Sequence, residues 1–185
     1  MEYLDIRNTD GTLTGKVKER NLVHQDGDLH GTVHIFIVRE GKEGRELLLQ
    51  KRSKDKDAYP GCYDISSAGH VSAGQGYKEA ALRELEEELG IHAEDDDLSF
   101  IGYYHFYCEE RFYDKPFRNN EISAVYLYTK PVEIGNLILQ EEEVESVCWM
   151  PLSACKEKVA QKDREYCLLE EELNLVEGYY CGRTE

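Results

Sequence analysis

The chain has 185 residues, and 38 Asp and Glu against 22 Lys and Arg give it a formal charge of −16. A surface that acidic argues against nucleic acids and anionic membranes as partners, since both are held by basic patches. A hydrophobic fraction of 41% beside 32% charged residues excludes a long disordered chain and a membrane protein.

At roughly 100–200 residues per domain, one domain is expected over 1–185, with a core over about 30–160. An N-terminal hairpin is expected at 1–25 and a C-terminal helix within 161–185. Such a chain buries about 70% of its unfolded surface and needs no disulfide or metal staple. Residues 1–5 lack the basic and apolar regions of a signal peptide, which makes the cytoplasm the expected location. Cys62, Cys108, Cys148, Cys155, Cys167 and Cys181 form no Cys-x-x-Cys pair and read as free thiols.

In chain order, 3–23 reads as strand, turn at Asp10-Gly11 and strand, followed by turn residues at 25–28. Strands are expected at 32–38 and 46–51, a charged loop at 55–61 and a short strand at 62–67. After a loop marked by Gly69, Gly74 and Gly76, 77–89 is the clearest helix, closed by Gly90. An acidic loop at 94–97 precedes strands at 98–107, 122–129 and 144–149. Pro151 is expected to open a helix running to about 160, and a last helix is expected at 164–175. Strands and helices mix without βαβ alternation, so the fold class is α+β.

On a helical wheel Glu84, Glu87 and Glu88 share an arc of about 100°, beside an apolar face of Ala81, Leu82, Leu85 and Leu89. Like charges at these spacings repel on a solvated helix, and a divalent cation would reverse the sign. The bland reading is a solvated acidic face. The surrounding residues weigh against it. Gly69, Arg83-Glu84-Leu85, Glu87-Glu88 and Gly90-Ile91 resemble the Nudix box, G-x5-E-x7-R-E-U-x-E-E-x-G-U with U aliphatic, at eight of nine fixed positions. The departure is Gln75, where the family has a Glu that pairs with the box arginine, here Arg83. Gln keeps a hydrogen bond without the charge, so a weaker brace is expected. His30-x3-His34-Ile35, the 48–53 run, Tyr59-Pro60-Gly61-x2-Asp64 and 66–70 are similar to the Nudix branch related to isopentenyl-diphosphate isomerase, which holds both isomerases and hydrolases.

The resemblance implies an α/β/α sandwich around a mixed sheet, with the box as a loop–helix–loop. It implies Mg²⁺-dependent cleavage, with Mn²⁺ as an alternative ion, of a nucleoside diphosphate or related X-diphosphate. Glu87, Glu88 and the Ala68 carbonyl match metal ligands, Glu84 matches a ligand or base, and Glu121 matches a carboxylate outside the box that serves as ligand or general base. Lys51, Arg52, Lys54 and Lys56 read as phosphate contacts or as a solvated loop edge. The aromatic run Tyr103, Tyr104, Phe106, Tyr107, Phe112, Tyr113 and Phe117 reads as stacking surface in part and sheet core in part.

Two other readings stay open. An isomerase would carry a cysteine before the Gly-His pair and two Glu separated by one residue, where this chain has Ala68 and Asn119-x-Glu121. His24, His30 and His70 do resemble that enzyme's metal-binding histidines. A non-catalytic nucleotide-binding module would usually have lost box carboxylates, and all three are present. The C-terminal helix is expected to cover the sheet or a partner subunit, which leaves a homodimer open.

Overall fold

The computed structural model describes residues 1–42, 44–56, 58–112 and 115–182. Residues 33–38 read Val-His-Ile-Phe-Ile-Val and form the middle of β3 (His30–Gly41). Strand side chains alternate between faces. Val33, Ile35 and Ile37 enter one core, and Phe36 and Val38 enter another. A strand buried on both faces needs a layer on each side. One layer is α2 (Tyr77–Leu89); the other is α3 (Leu152–Ala160) with α4 (Glu170–Cys181). The result is the expected α/β/α sandwich.

Around β3 the main sheet runs β5 (Tyr63–Asp64), β4 (Gly44–Arg52), β3, β8 (Lys115–Tyr128), β7 (Leu98–Phe112). β6 (Ser67–His70) pairs with β3, and β9 (Val144–Pro151) pairs with β4. The sheet is mixed: β3 and β8 are parallel from His30↔Glu121 to Ile37↔Tyr128, and the other pairings are antiparallel. A separate hairpin of β1 (Tyr3–Arg7) and β2 (Leu13–Glu19) leads into α1 (Arg20–Asp26). Leu4, Ile6 and Val23 make a small core of their own. The hairpin is anchored beside the box loop, where Ala73 N–H donates to Tyr3 C=O at 2.8 Å. Among the described residues no helix is long and apolar enough to cross a membrane.

Several local expectations are corrected. Residues 20–23, read as strand, belong to α1, whose seven residues bury Val23 and stop at Gly27 in the left-handed region (φ +74°). The strand at 62–67 is two strands, Tyr63–Asp64 and Ser67–His70, interrupted where the Ser66 hydroxyl donates to Leu48 C=O and accepts from Ile37 N–H. Cys62 therefore lies outside the strand that carries Ala68. Pro151 ends β9 and caps α3, which begins one residue later. The last helix starts at Glu170, six residues after the expected 164. Residues 165–167 instead leave a turn to bridge β5: Tyr63 N–H donates to Glu165 C=O, and Cys167 N–H donates to Tyr63 C=O. An open strand edge competed for that backbone and won.

Candidate active site

α2 occupies the span its periodicity predicts. Gly90, at φ +68°, closes it by donating its N–H to Glu86 C=O. Ala81, Leu85 and Leu89 are fully buried against the sheet. That docking drags the neighbouring carboxylates inward: Glu84 is 8% exposed and Glu88 3%, while Glu87, one step farther round, is exposed. Glu88 Oε2 accepts from Ala68 N–H at 3.2 Å and from Gln50 Nε2 at 3.4 Å. Glu84 packs so tightly on Gly69 that any Cβ there would overlap its carboxylate. This explains the box glycine as a close approach of side chain to backbone.

Arg83 ties the helix to its loop. One amino group lies 2.8 Å from both Glu84 and Glu87, and the other donates to His70 C=O at 2.9 Å. The bond to Gln75 Oε1 is long, 3.4 Å, in keeping with a brace that lacks its charge. One guanidinium shared by Glu84 and Glu87 leaves negative charge uncompensated. Burial pushes Glu84 up to about 8, with Glu88 adding to the rise and Arg83 opposing it. Burial likewise pushes Glu88 up to about 7 against the pull of Lys56 and the Ala68 N–H. This donor set of hard oxygens, each costly to bury as a bare charge, fits a divalent ion such as Mg²⁺.

These values set a pH dependence. Without metal, the folded chain keeps protons on Glu84 and Glu88 that the unfolded chain releases near 4.5. The stability they contribute is full below that value and is lost as pH rises toward about 8. A cation must displace those protons. Mg²⁺ affinity by calorimetry is therefore expected to rise about tenfold per pH unit between 7 and 8 and to level off above. A flat affinity across that range would contradict the protonated cluster.

Beside α2 opens a cleft of about 1750 Å³. It is lined by Glu84, Glu87 and Glu88, by Ala68, Gly69 and His70 of β6, by His34 of β3 and by Glu121 of β8. The parallel β3–β8 pairing brings Glu121, 6% exposed, to the same cleft from a distant stretch of chain. Burial raises its carboxyl above the usual range, while His34 pulls it back. His34 itself lies with Nε2 3.7 Å from Glu121 and Nδ1 2.5 Å from Glu172. Burial alone would lower this imidazole, but Glu172 and then Glu121 outweigh it and carry it up to about 9.

The basic cluster divides. Arg52 lines the cleft, donating to Asp64 at 2.8 Å and to Ala58 C=O, and Lys56 lines it while paired with Glu143. Lys51 is not brought there. It pairs at 3.0 Å with Glu145, which lines a separate groove together with Lys54. Successive residues on β4 point to opposite faces, so Lys51 and Arg52 could not both face the cleft. Among the aromatics, Phe106, Phe112 and Phe117 line the cleft, Tyr103 and Tyr107 are exposed, Tyr104 packs in the α4-side core, and Tyr113 lies outside the described residues.

His24, His30 and His70 converge, each offering a ring nitrogen within 4.8 Å of the others. Burial lowers His30 to about 4 and His70 well below its ordinary value, which keeps both rings neutral. His30 Nε2 is buried with no hydrogen-bond partner among the described residues. An orphaned nitrogen beside two further imidazoles is a donor set that suits a divalent transition ion. Sequence reasoning had no role for Gln50 or Glu172. Gln50 was visible only as a polar residue ending the apolar run 47–49, and Glu172 was hidden by the misplaced last helix.

A mixed-sheet α/β/α sandwich with a glycine-flanked acidic helix facing a cleft defines the class: this chain belongs to the Nudix family. The NUDIX domain model matches residues 28–169. Nudix hydrolase 3 of Arabidopsis thaliana is 42% identical over 167 residues, covering 89% of this chain and 21% of that protein. An uncharacterised Nudix hydrolase of Clostridium acetobutylicum is 39% identical over 144 residues, covering 77% of this chain and 66% of that one. The chain thus spans about a fifth of the first relative and just under two thirds of the second. In fold it resembles the crystal structure of DR0079 from Deinococcus radiodurans, with a TM-score of 0.67 at 20% identity, over 96% of this chain and 99% of that one.

Proposed function

We propose that the chain is a metal-dependent hydrolase of a diphosphate linkage, in a nucleoside diphosphate or a related X-diphosphate compound, from the hydrolase side of the isomerase-related branch. The observation that carries this reading is the meeting of buried Glu84 and Glu88 with Glu121 in one cleft. Glu84, Glu87, Glu88 and the Ala68 carbonyl would hold Mg²⁺, or Mn²⁺ in its place. The ion supplies Lewis acidity toward the diphosphate. Arg52 and Lys56 bind phosphate oxygens. Glu121, off the acidic helix and beside His34 and Asn119 instead of Arg83, acts as general base. It takes a proton from the attacking water as oxygen bonds to phosphorus, and the electron pair of the broken P–O bond leaves with the departing phosphate group. Gly69, Gln75, Arg83 and Gly90 keep the helix and its loop in place.

A panel of nucleoside, coenzyme and isoprenoid diphosphates, assayed by phosphate release with and without Mg²⁺, tests the reading. Turnover of at least one compound is expected, abolished by excess chelator and restored by added metal. Full turnover in chelator would remove the metal from the mechanism.

Chemistry weighs against the isomerase reading at two positions, Ala68 where that enzyme has a thiol and Asn119 where it has the first of two Glu. Proton transfer to and from carbon needs two placed groups, and Ala68 has no proton to give. The nearest thiol in sequence, Cys62, lies outside that strand and donates to Arg164 C=O at 3.5 Å. Isopentenyl diphosphate with Mg²⁺ is expected to yield no dimethylallyl diphosphate above a protein-free control. Appearance of the isomer, lost in Glu121→Gln, would reverse this choice.

A further inference from the structure

α4 presents Glu172, Leu173 and Val176 inward, and all three are buried. Leu173 and Val176 pack into the core beneath Phe36 and Leu127. Glu172, 1% exposed, is the carboxylate in that row. Packing alone would be served better by an aliphatic side chain, because a buried carboxylate loses its hydration. Its partner is His34 Nδ1 at 2.5 Å. Alternation on β3 turns His34 toward the same face as Phe36, and the ring's other nitrogen faces Glu121 at 3.7 Å. One imidazole thus spans two carboxylates, one on the C-terminal helix and one at the cleft. Residues 165–167, bonded to the β5 edge, lead directly into α4 and set where Glu172 falls.

We propose that Glu172 is a positioning residue: from the C-terminal helix it fixes the His34 ring, and through His34 it fixes the Glu121 carboxylate. This rests on the reading of Glu121 as general base. An imidazole held at Nδ1 has its ring plane and its free nitrogen determined, as with the partner that orients a catalytic histidine. Without Glu172 the ring can turn, and Glu121 loses its cationic neighbour, leaving the Asn119 side chain alone to hold it.

The test compares the full chain with Glu172→Leu and Glu172→Gln. Leu fills the space and packs with Leu173 and Val176; Gln keeps the volume and an acceptor for Nδ1–H. On the best compound from the diphosphate panel, Glu172→Leu is expected to lower kcat about 10–100-fold, with KM within about threefold and a melting temperature equal to or above that of the native chain. Glu172→Gln is expected to recover most of the loss. Unchanged kcat in Glu172→Leu, or a fall in kcat matched by a fall in melting temperature, would overturn the proposal. A second readout needs no turnover. In metal-free protein, NMR should show a slowly exchanging His34 Nδ1–H signal in the native chain and in Glu172→Gln. That signal should be lost in Glu172→Leu and in the assignment control His34→Asn. The Glu121 carboxyl ¹³C resonance should move in Glu172→Leu and stay in place in Glu172→Gln. Persistence of the Nδ1–H signal in Glu172→Leu, or its absence from the native chain, would also overturn the proposal. If the native chain hydrolyses nothing, the proposed function fails while the NMR arms still decide the contact.

Discussion

Glu121→Gln is expected to lower kcat by about 10²–10⁴-fold, the range for loss of a general base, with KM within a few-fold. Gln has the same length and can still hydrogen-bond, but it cannot take a proton from water. The residue is 6% exposed and stands opposite His30 in the parallel β3–β8 register. A neutral replacement avoids the charge burial that raises the Glu121 carboxyl, so the fold should tolerate it. The measurement is kcat at saturating Mg²⁺ together with a melting curve. Native turnover with an unchanged melting temperature would remove Glu121 from the chemistry and leave Glu84 as the remaining base. A collapse of Mg²⁺ affinity in this variant would instead place Glu121 among the ligands.

Glu87→Gln is expected to cost about 10²–10³-fold in kcat, on the scale of several kcal/mol of lost charge stabilisation. Unlike Glu121, Glu87 is exposed, and it touches Arg83 at 2.8 Å. Its replacement disturbs no core packing. It also relieves a charge that helps to raise Glu84, so the Glu84 proton should come off more readily in the variant. Calorimetry should show Mg²⁺ bound more weakly and with fewer protons released near pH 7.5. The metal-free chain should melt at the native temperature or slightly higher. Wild-type turnover at saturating Mg²⁺ would show that Glu87 is a solvated surface residue and that the buried pair Glu84 and Glu88 suffices.

The acidic helix was legible residue by residue because helices are local. Bonds between residues four apart, an apolar stripe of Ala81, Leu85 and Leu89, and Gly90 in the left-handed region settle 77–89 within the span itself. The same wheel placed the three carboxylates on one flank. It could not say how deep each would sink, and burial separates Glu84 and Glu88 from Glu87. Strand 32–38 was legible from its β-branched run, and its two-sided burial follows from having apolar residues at successive positions on both faces.

What the chain alone did not disclose depends on pairings between distant segments. The parallel register His30↔Glu121 joins strands ninety-one positions apart in sequence, and it sets which carboxylate outside the box reaches the cleft. The start of α4 was misread because residues 165–167 gain backbone partners on β5, an edge that exists only once the sheet has formed. Lys51 and Arg52 are neighbours of similar charge, and only the orientation of β4 sends one to Glu145 and the other to Asp64 in the cleft. The acidic helix and its capping glycines were determined by the sequence itself, through short-range hydrogen bonds and apolar spacing. The assembly of Glu121, His34 and Glu172 in the cleft beside that helix was decided by tertiary structure, because strand register and helix docking are set by long-range burial, which a local pattern does not encode.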